Sequence, residues 1–492
     1  MLSSEIYQAF PVQFFLSCLY YMAEVRTKPY CFIKTNSEDL MKIPCAKRLP
    51  FIVAGLSFLQ PALTNIQFNN LTLIATALVL GAKFSLTEIN RMWLAEKSVS
   101  TLSHFLSDAK FTTYEMQCLY ALKVLHLYKI KGGYFIIDDT MKHHTKFCKF
   151  IHGVFVLFDH ALRTNVKATC IVFLYHSDGS RIKFPICHRI FYQENGKMSW
   201  LRGKKFDYKT KYELAIEMLE WALEKGYPKC TVLADSWFGI GPFIKELKRL
   251  ELDYVVEVKT NCNVREKCKE PKLTPTGKIA KNQYDLIGLP EFFKSISSVT
   301  KCGFAADEET GKKVKILYHA KIITARLNSI PGKHRIIESF DPTKQTTKYL
   351  LANQLTWEAT KIISVYNHRW VIEEFFRNAK QLTDMEGATI RSEQGVTLSL
   401  CLVSWIDFLL HFENCKQSTA GKLTKESQTI PSIVRRAQYE NLEAFMDRVQ
   451  NDEDFVKKWF EVEKKNIYRE RKKHKELIKL DEFDGLEEKL AA

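Results

Sequence analysis

The sequence predicts an α/β fold: a mixed sheet flanked by helices, interrupted by a β-rich insertion, with helical regions at both ends. Three observations predict it. Four short β-branched or aromatic runs follow one another between residues 132 and 192, with turn residues between them. Helical and strand patterns then alternate from 212 to 259. Residues 260–345 are rich in Lys, Thr, Gly and Pro and lose helical periodicity, before helical patterns return.

Taken in order, residues 1–130 form the first region. Residues 1–45 carry no clear pattern, and from about 50 the spacing is helical. Ser85 followed by Glu88 makes a capping box before INRMWLA, and Ser98–Thr101 starts a second helix into LSHFL. Two short helices with a tight connection read as a DNA-binding helix-turn-helix or as an ordinary helical hairpin. The runs GGYFIIDDT (132–140), GVFVLF (153–158), ATCIVFLYH (168–176) and RIKFPICHRIFY (181–192) read as an antiparallel meander, with SDG at 177–179 as a turn. YELAIEMLEWALEKG (212–226) is an amphipathic helix stopped by Gly226, followed by strand CTVLAD (230–235), helix GPFIKELKRLE and strand DYVVEVK (253–259). Residues 131–260 and 346–415 thus make one α/β core around an inserted β-rich subdomain at 261–345. In the insertion KVKILYHAKIITARL (313–327) and HRIIESF (334–340) read as strands. KYLLAN (348–353) is a further strand, and a long helix starts at or just after Thr356. TLSLCLVSWIDFLLHF (397–412) reads as a buried helix, and 416–492 as a basic helical region.

The formal net charge is +16 with a pI near 9.1, which favours a polyanionic partner. The 13 cysteines show no CxxC and no zinc spacing, so reduced thiols in a reducing compartment are expected and a zinc site is not. The apolar stretches at 10–23, 71–82 and 398–412 read as buried helices, neither secretory signal nor membrane span.

Residues 366–380, YNHRWVIEEFFRNAK, organise the functional reading. As one helix they put Tyr366, Arg369, Glu373 and Lys380 on a single stripe, with Ile372, Phe375 and Ala379 opposite. The plainer reading is a solvated face with an Arg369–Glu373 pair. Asp138 and Asp235 each stand where a strand stops, the edge at which open α/β sheets carry their sites. Three carboxylates from separate elements suit hard cations, Mg²⁺ or Mn²⁺. Two such ions roughly 4 Å apart serve phosphodiester chemistry.

The spacing Tyr366-x2-Arg369-x3-Glu373-x6-Lys380 resembles the Tyr-Arg-Glu-Lys signature of bacterial insertion-sequence DDE transposases, and DDT at 138–140 and LADSWFG around Asp235 resemble their first two acid motifs. The resemblance implies an RNase H-like core, with Asp138, Asp235 and Glu373 as catalytic ligands of two Mg²⁺ ions (Mn²⁺ substituting). Asp139 is the alternative register for the first acid. Glu374 lies about 100° round from Glu373, off the stripe. The resemblance further implies that Tyr366, Arg369 and Lys380 contact DNA phosphates, and that Trp370 either stacks a base or packs as a helix aromatic. Double-stranded DNA (terminal inverted repeats and target) would be the substrate, a homodimer the working form, and the bacterial cytoplasm, at the nucleoid, its location. Relatives that cut through a DNA hairpin can carry a stacking Trp in the insertion. Residues 260–345 contain none, with Tyr284, Phe292, Phe293, Phe304 or Tyr318 as substitutes, so the hairpin step stays open. A catalytically inactive DNA-binding descendant and a plain RNase H-like nuclease are the other two functions compatible with these residues.

Overall fold

A computed structural model describes residues 43–145, 148–194, 208–272, 275–276, 278–279, 283–306, 314–419 and 429–465. From Pro44 onward they make up a single unit. The apolar run at 10–23, residues 1–42 and the basic run from 466 onward lie outside the described residues.

The first region is helical: α1 (Pro50–Leu56) and a 3₁₀ turn (Ser57–Ala62), then α2 (Asn65–Val79), α3 (Leu86–Met92), α4 (Val99–Asp108) and α5 (Thr113–Tyr128). Ser98 accepts the Thr101 backbone N–H and starts α4 as its sequence suggests. The capping box at Ser85 does not form, because its side chain makes no cap hydrogen bond. The entry to α3 is fixed from elsewhere: the Phe84 N–H donates to Asp384 Oδ2 at 2.6 Å. A true capping box, Thr64 with Gln67, opens α2 instead.

The strands of the core are β1 (Tyr134–His143), β2 (Phe155–Asp159), β3 (Thr164–Ser177) and β4 (Lys183–Phe191), then α6 (Lys211–Glu224), β5 (Thr231–Ala234), α7 (Gly241–Arg249) and β6 (Tyr254–Val258). β7 (Asn263–Lys267) and β8 (Tyr284–Gly288) pair in a sheet of their own, followed by α8 (Leu289–Lys294). β9 (Thr300–Ala306), β10 (Val314–Arg326), β11 (Lys333–Asp341) and β12 (Thr346–Ala352) complete a ten-stranded mixed sheet of order β2-β3-β1-β5-β6-β12-β11-β10-β9, with β4 also on β3. This is an RNase H-like α/β fold. Strands from the insertion read at 261–345 thus continue the central sheet.

Consecutive pairing, the expectation for 132–192, holds for β2–β3 and β3–β4 but not for β1. β1 pairs antiparallel with β3 along its whole length, and parallel with β5 over Tyr134–Ile137 alone. Fourteen-residue β3 is long enough to hold β2 at its start and β4 further along one edge, which leaves the other edge for β1.

Helices α9 (Ala359–Asn367), α10 (Trp370–Leu382), α11 (Glu393–Thr419) and α12 (Ile430–Asn451) follow the sheet. The stretch 366–380 is therefore not one helix. It breaks at His368–Arg369, where N–H groups bond three residues back, Arg369 to Tyr366 O at 2.9 Å. Tertiary contacts explain the break. The His368 ring stacks on Tyr134 at 4.6 Å between centroids, and the Arg369 side chain is drawn to Asp138. The apolar side of α10 packs as expected, with Ile372, Phe375 and Ala379 buried. α11 is long and apolar enough to cross a membrane by length and composition, and 83% of its most apolar window is buried inside the protein. It packs on β4 and on α1, α4, α5 and α12, the part of a core helix.

Candidate active site

Register explains how distant acids meet. β1 and β5 pair up to Ile137 and Ala234, and β5 and β6 pair up to Ala234 and Val256. The next residues along these three parallel strands are Asp138, Asp235 and Glu257. Asp138 is not at the end of its strand, since β1 runs on to His143 beside β3. It is the first residue beyond the reach of β5, so its carboxylate still faces the open end of the parallel part of the sheet.

Arg369 enters this row from the break before α10. Its Nη1 donates to Asp138 Oδ2 at 2.7 Å, and its Nη2 donates to Glu373 one turn on. The guanidinium is 11% exposed and the Asp138 side chain 15%. Burial, and then the like charge of Asp235, push Asp138 up to about 7 against the pull of Arg369. Asp235 is also raised, first by burial, with Asp139 and Glu257 adding to it, while the Trp237 N–H bonded to its carboxylate and Arg369 act the other way. Burial would release the Arg369 proton more readily, yet Tyr366, Asp138 and Glu373 together hold the guanidinium above its ordinary value.

The neighbours of the acids turn elsewhere. Asp139 Oδ2 accepts from Lys211 Nζ at 2.9 Å and from the Cys170 thiol. Glu374 lies 3.5 Å from Lys183 Nζ on β4. Asp138 and Glu373, by contrast, share one guanidinium.

Around this row stand the other residues singled out in the sequence. Tyr366 is buried, and its hydroxyl donates to Glu257 Oε2 at 2.7 Å, a carboxylate that Lys348 also holds at 2.9 Å. Burial, opposed by Arg369, raises the phenol well above its ordinary value, with Glu257 adding to the rise. Lys380 Nζ reaches the Met141 carbonyl on β1 at 3.1 Å and Glu386 at 3.0 Å. Trp370 is 52% exposed, with Lys344 Nζ 5.6 Å from its ring centre. In the insertion Phe293 is fully buried, whereas Tyr284 is exposed.

Glu257 escaped the sequence reading. Its local signal is slight: one carboxylate in the otherwise apolar run YVVEV. Only pairing with β5 brings it to the acid row.

Among the described residues no three His, Cys, Asp or Glu side chains are grouped closely enough to hold a metal ion as they stand. The chemistry of the row nevertheless fits one. The donors are carboxylate oxygens, as Mg²⁺ and Mn²⁺ prefer, and two half-buried acids that repel each other are stabilised by a cation. Arg369 supplies that positive charge here.

Two protein families match the chain. The family described as DDE superfamily endonuclease matches residues 59–285, and Transposase DDE domain matches residues 208–406. The first span includes Asp138 and Asp235, the second Asp235 and Glu373. Among curated proteins, none matches. The two family matches support a transposase-type function on a DDE domain.

Proposed function

We propose that this DDE transposase-type chain cuts DNA at the ends of an insertion sequence and joins those ends to target DNA. Asp138, Asp235 and Glu373 are the catalytic acids in this reading. The observation that carries it is that Asp138 and Glu373, more than two hundred residues apart, share the Arg369 guanidinium, while Asp235 is the next residue of the neighbouring strand β5 at the open end of the parallel strands. The spacing Tyr366, Arg369, Glu373, Lys380 supports the insertion-sequence group with the Tyr-Arg-Glu-Lys signature.

The acids would hold two Mg²⁺ or Mn²⁺ ions, which when bound lower the charge barrier to attack by water or a 3′-hydroxyl on a phosphodiester. The chain's own residues do the positioning. Arg369, whose fork of donors now pairs with Asp138 and Glu373, is the residue that would contact a DNA phosphate. Lys380 adds charge beside β1. Tyr366, tied to Glu257, fixes the segment that carries Arg369. The basic charge of the whole chain supports binding to the DNA backbone, which fixes position and not sequence. The pair α3–α4 serves as a helix-turn-helix, a homodimer holds two inverted-repeat ends, and the protein works in the bacterial cytoplasm at the nucleoid.

The test is metal-dependent cleavage of a DNA duplex bearing the element's ends by wild type and Asp235→Ala, in Mg²⁺ and in Mn²⁺. Wild type should cut and the variant should not. Equal cutting by both removes the assignment of the acids. Strand transfer of a pre-cut 3′-hydroxyl end into plasmid separates a transposase from a plain nuclease, which gives none. End binding without cleavage by wild type would mark an inactive descendant.

A further inference from the structure

The acid row makes no use of an aromatic side chain fixed beside it. Trp237 follows Asp235 by two residues, and its backbone N–H donates to Asp235 Oδ1 at 3.0 Å, which ties the indole to the acid. The side chain is not packed away: Trp237 is 47% exposed. Two ammonium groups lie over its ring, Lys211 Nζ at 4.8 Å and Lys259 Nζ at 5.2 Å from the centre. The His160 ring stands 6.5 Å away and meets exposed Phe158 edge-on at 5.1 Å. The two lysines differ. Lys211 is held by Asp139 at 2.9 Å and is largely buried. Lys259 is exposed and makes no ion pair among the described residues, so its ammonium can leave the ring at little cost.

We propose that Trp237 is a stacking platform for an unpaired nucleobase of a DNA strand engaged at the acids, with Lys259 moving from the ring to the neighbouring phosphate. An exposed indole offers a flat apolar face, and a nucleobase has a matching face only where no neighbouring base covers it. A nucleotide carries both a π face and an anion, and Trp237 and Lys259 present one complement for each. The +16 net charge favours a nucleic acid over an apolar protein segment as the occupant. This inference rests on the reading of the site as one that acts on DNA. It adds a binding contact that none of the acids supplies.

The experiment measures binding of the full chain in EDTA, where cleavage plays no part. The probes are a duplex with three-nucleotide overhangs of either polarity and the same duplex with abasic overhangs, which keep the phosphates and lose the bases. Wild type should prefer the base-bearing overhang on the order of ten-fold, the scale of one stacked base. Trp237→Ala should lose that preference while binding the abasic duplex within about two-fold of wild type, and Trp237→Phe should keep most of it. Equal binding of the two duplexes by wild type would overturn the proposal. So would a preference that survives in Trp237→Ala. Unchanged thermal unfolding of Trp237→Ala separates lost stacking from lost fold. Wild type that fails to cleave in metal yet shows the Trp237-dependent preference would sink the cleavage reading and leave the platform standing; the reverse pattern would do the opposite.

Discussion

Replacing Asp138 by Asn tests the charge balance of the acid row directly. Asn keeps the shape and an acceptor oxygen for Arg369 but can never carry the negative charge that burial and Asp235 oppose. The folded protein raises this carboxyl from 3.8 to about 7. That is about three decades of proton affinity at about 1.36 kcal/mol each, so the ionised carboxylate costs the folded state about 4 kcal/mol. With the side chain 15% exposed, solvent screening removes little of this. Below 3.8 the group is protonated in both folded and unfolded chains and costs nothing. Between about 4 and 7 the folded state binds the extra proton, so the stability contributed by this group falls as pH rises; above about 7 the full penalty is present. Thermal unfolding in EDTA should therefore find Asp138→Asn close to wild type near pH 4 and more stable by a few °C at pH 8, the difference growing across that window. Curves that stay parallel from pH 4 to 8, or a variant that loses ground as pH rises, would mean that Arg369 outweighs the repulsion and that the acids are not crowded as described.

Other substitutions probe the same geometry. Glu373→Gln should abolish metal-dependent cleavage while Glu374→Gln, whose carboxylate faces Lys183, stays within a few-fold of wild type; the opposite result would put the whole row out of register. Tyr366→Phe removes a buried hydroxyl that donates to a carboxylate, and urea unfolding should record a loss of about 1.5–3 kcal/mol. Gly239→Ala adds a methyl that collides with the Glu257 backbone carbonyl, so the loop after Asp235 must shift. That should cost about 1–3 kcal/mol on unfolding and lower cleavage more than DNA binding.

Most strands were legible because their signals are local, although β7, β8 and β9, in the insertion, were not read from the sequence. Runs such as FIID and VVEV need only β-branched residues and flanking turns to declare themselves, and Gly226, at a φ of +91°, stops α6 as its place in the sequence implies. Asp235 was legible as an acid at a strand end and Glu373 as an acid on a helix, but Asp138 lies inside β1, short of its end, and the mutual geometry of the three was not legible. It comes from the parallel register of β1, β5 and β6, which joins residues about a hundred positions apart. The same limit hid Glu257, and it hid the break at His368–Arg369. Local spacing there favours one continuous helix, whereas Tyr134 and Asp138, more than 230 residues earlier, bend the chain. Ser85 failed as a cap for a related reason, since Asp384 fixes the entry to its helix.

The point where the chain leaves the core for the insertion and the point where it returns are β6 and β12, which are hydrogen-bonded neighbours, Val258 opposite Tyr349 and Val255 opposite Ala352. Adjacent strands lie about 4.8 Å apart. The inserted segment is thus a closed excursion whose two ends the sheet itself clamps together. In the connections between its strands, lengthening changes closure entropy only slowly, by about 0.6 kcal/mol per doubling, because the β6–β12 pair fixes where the chain leaves and returns. Length can therefore vary in the connections between the inserted strands, while β9, β10 and β11 are held in register as a continuation of the sheet from β12, so the number of residues between Asp235 and Glu373 says little about their distance in space.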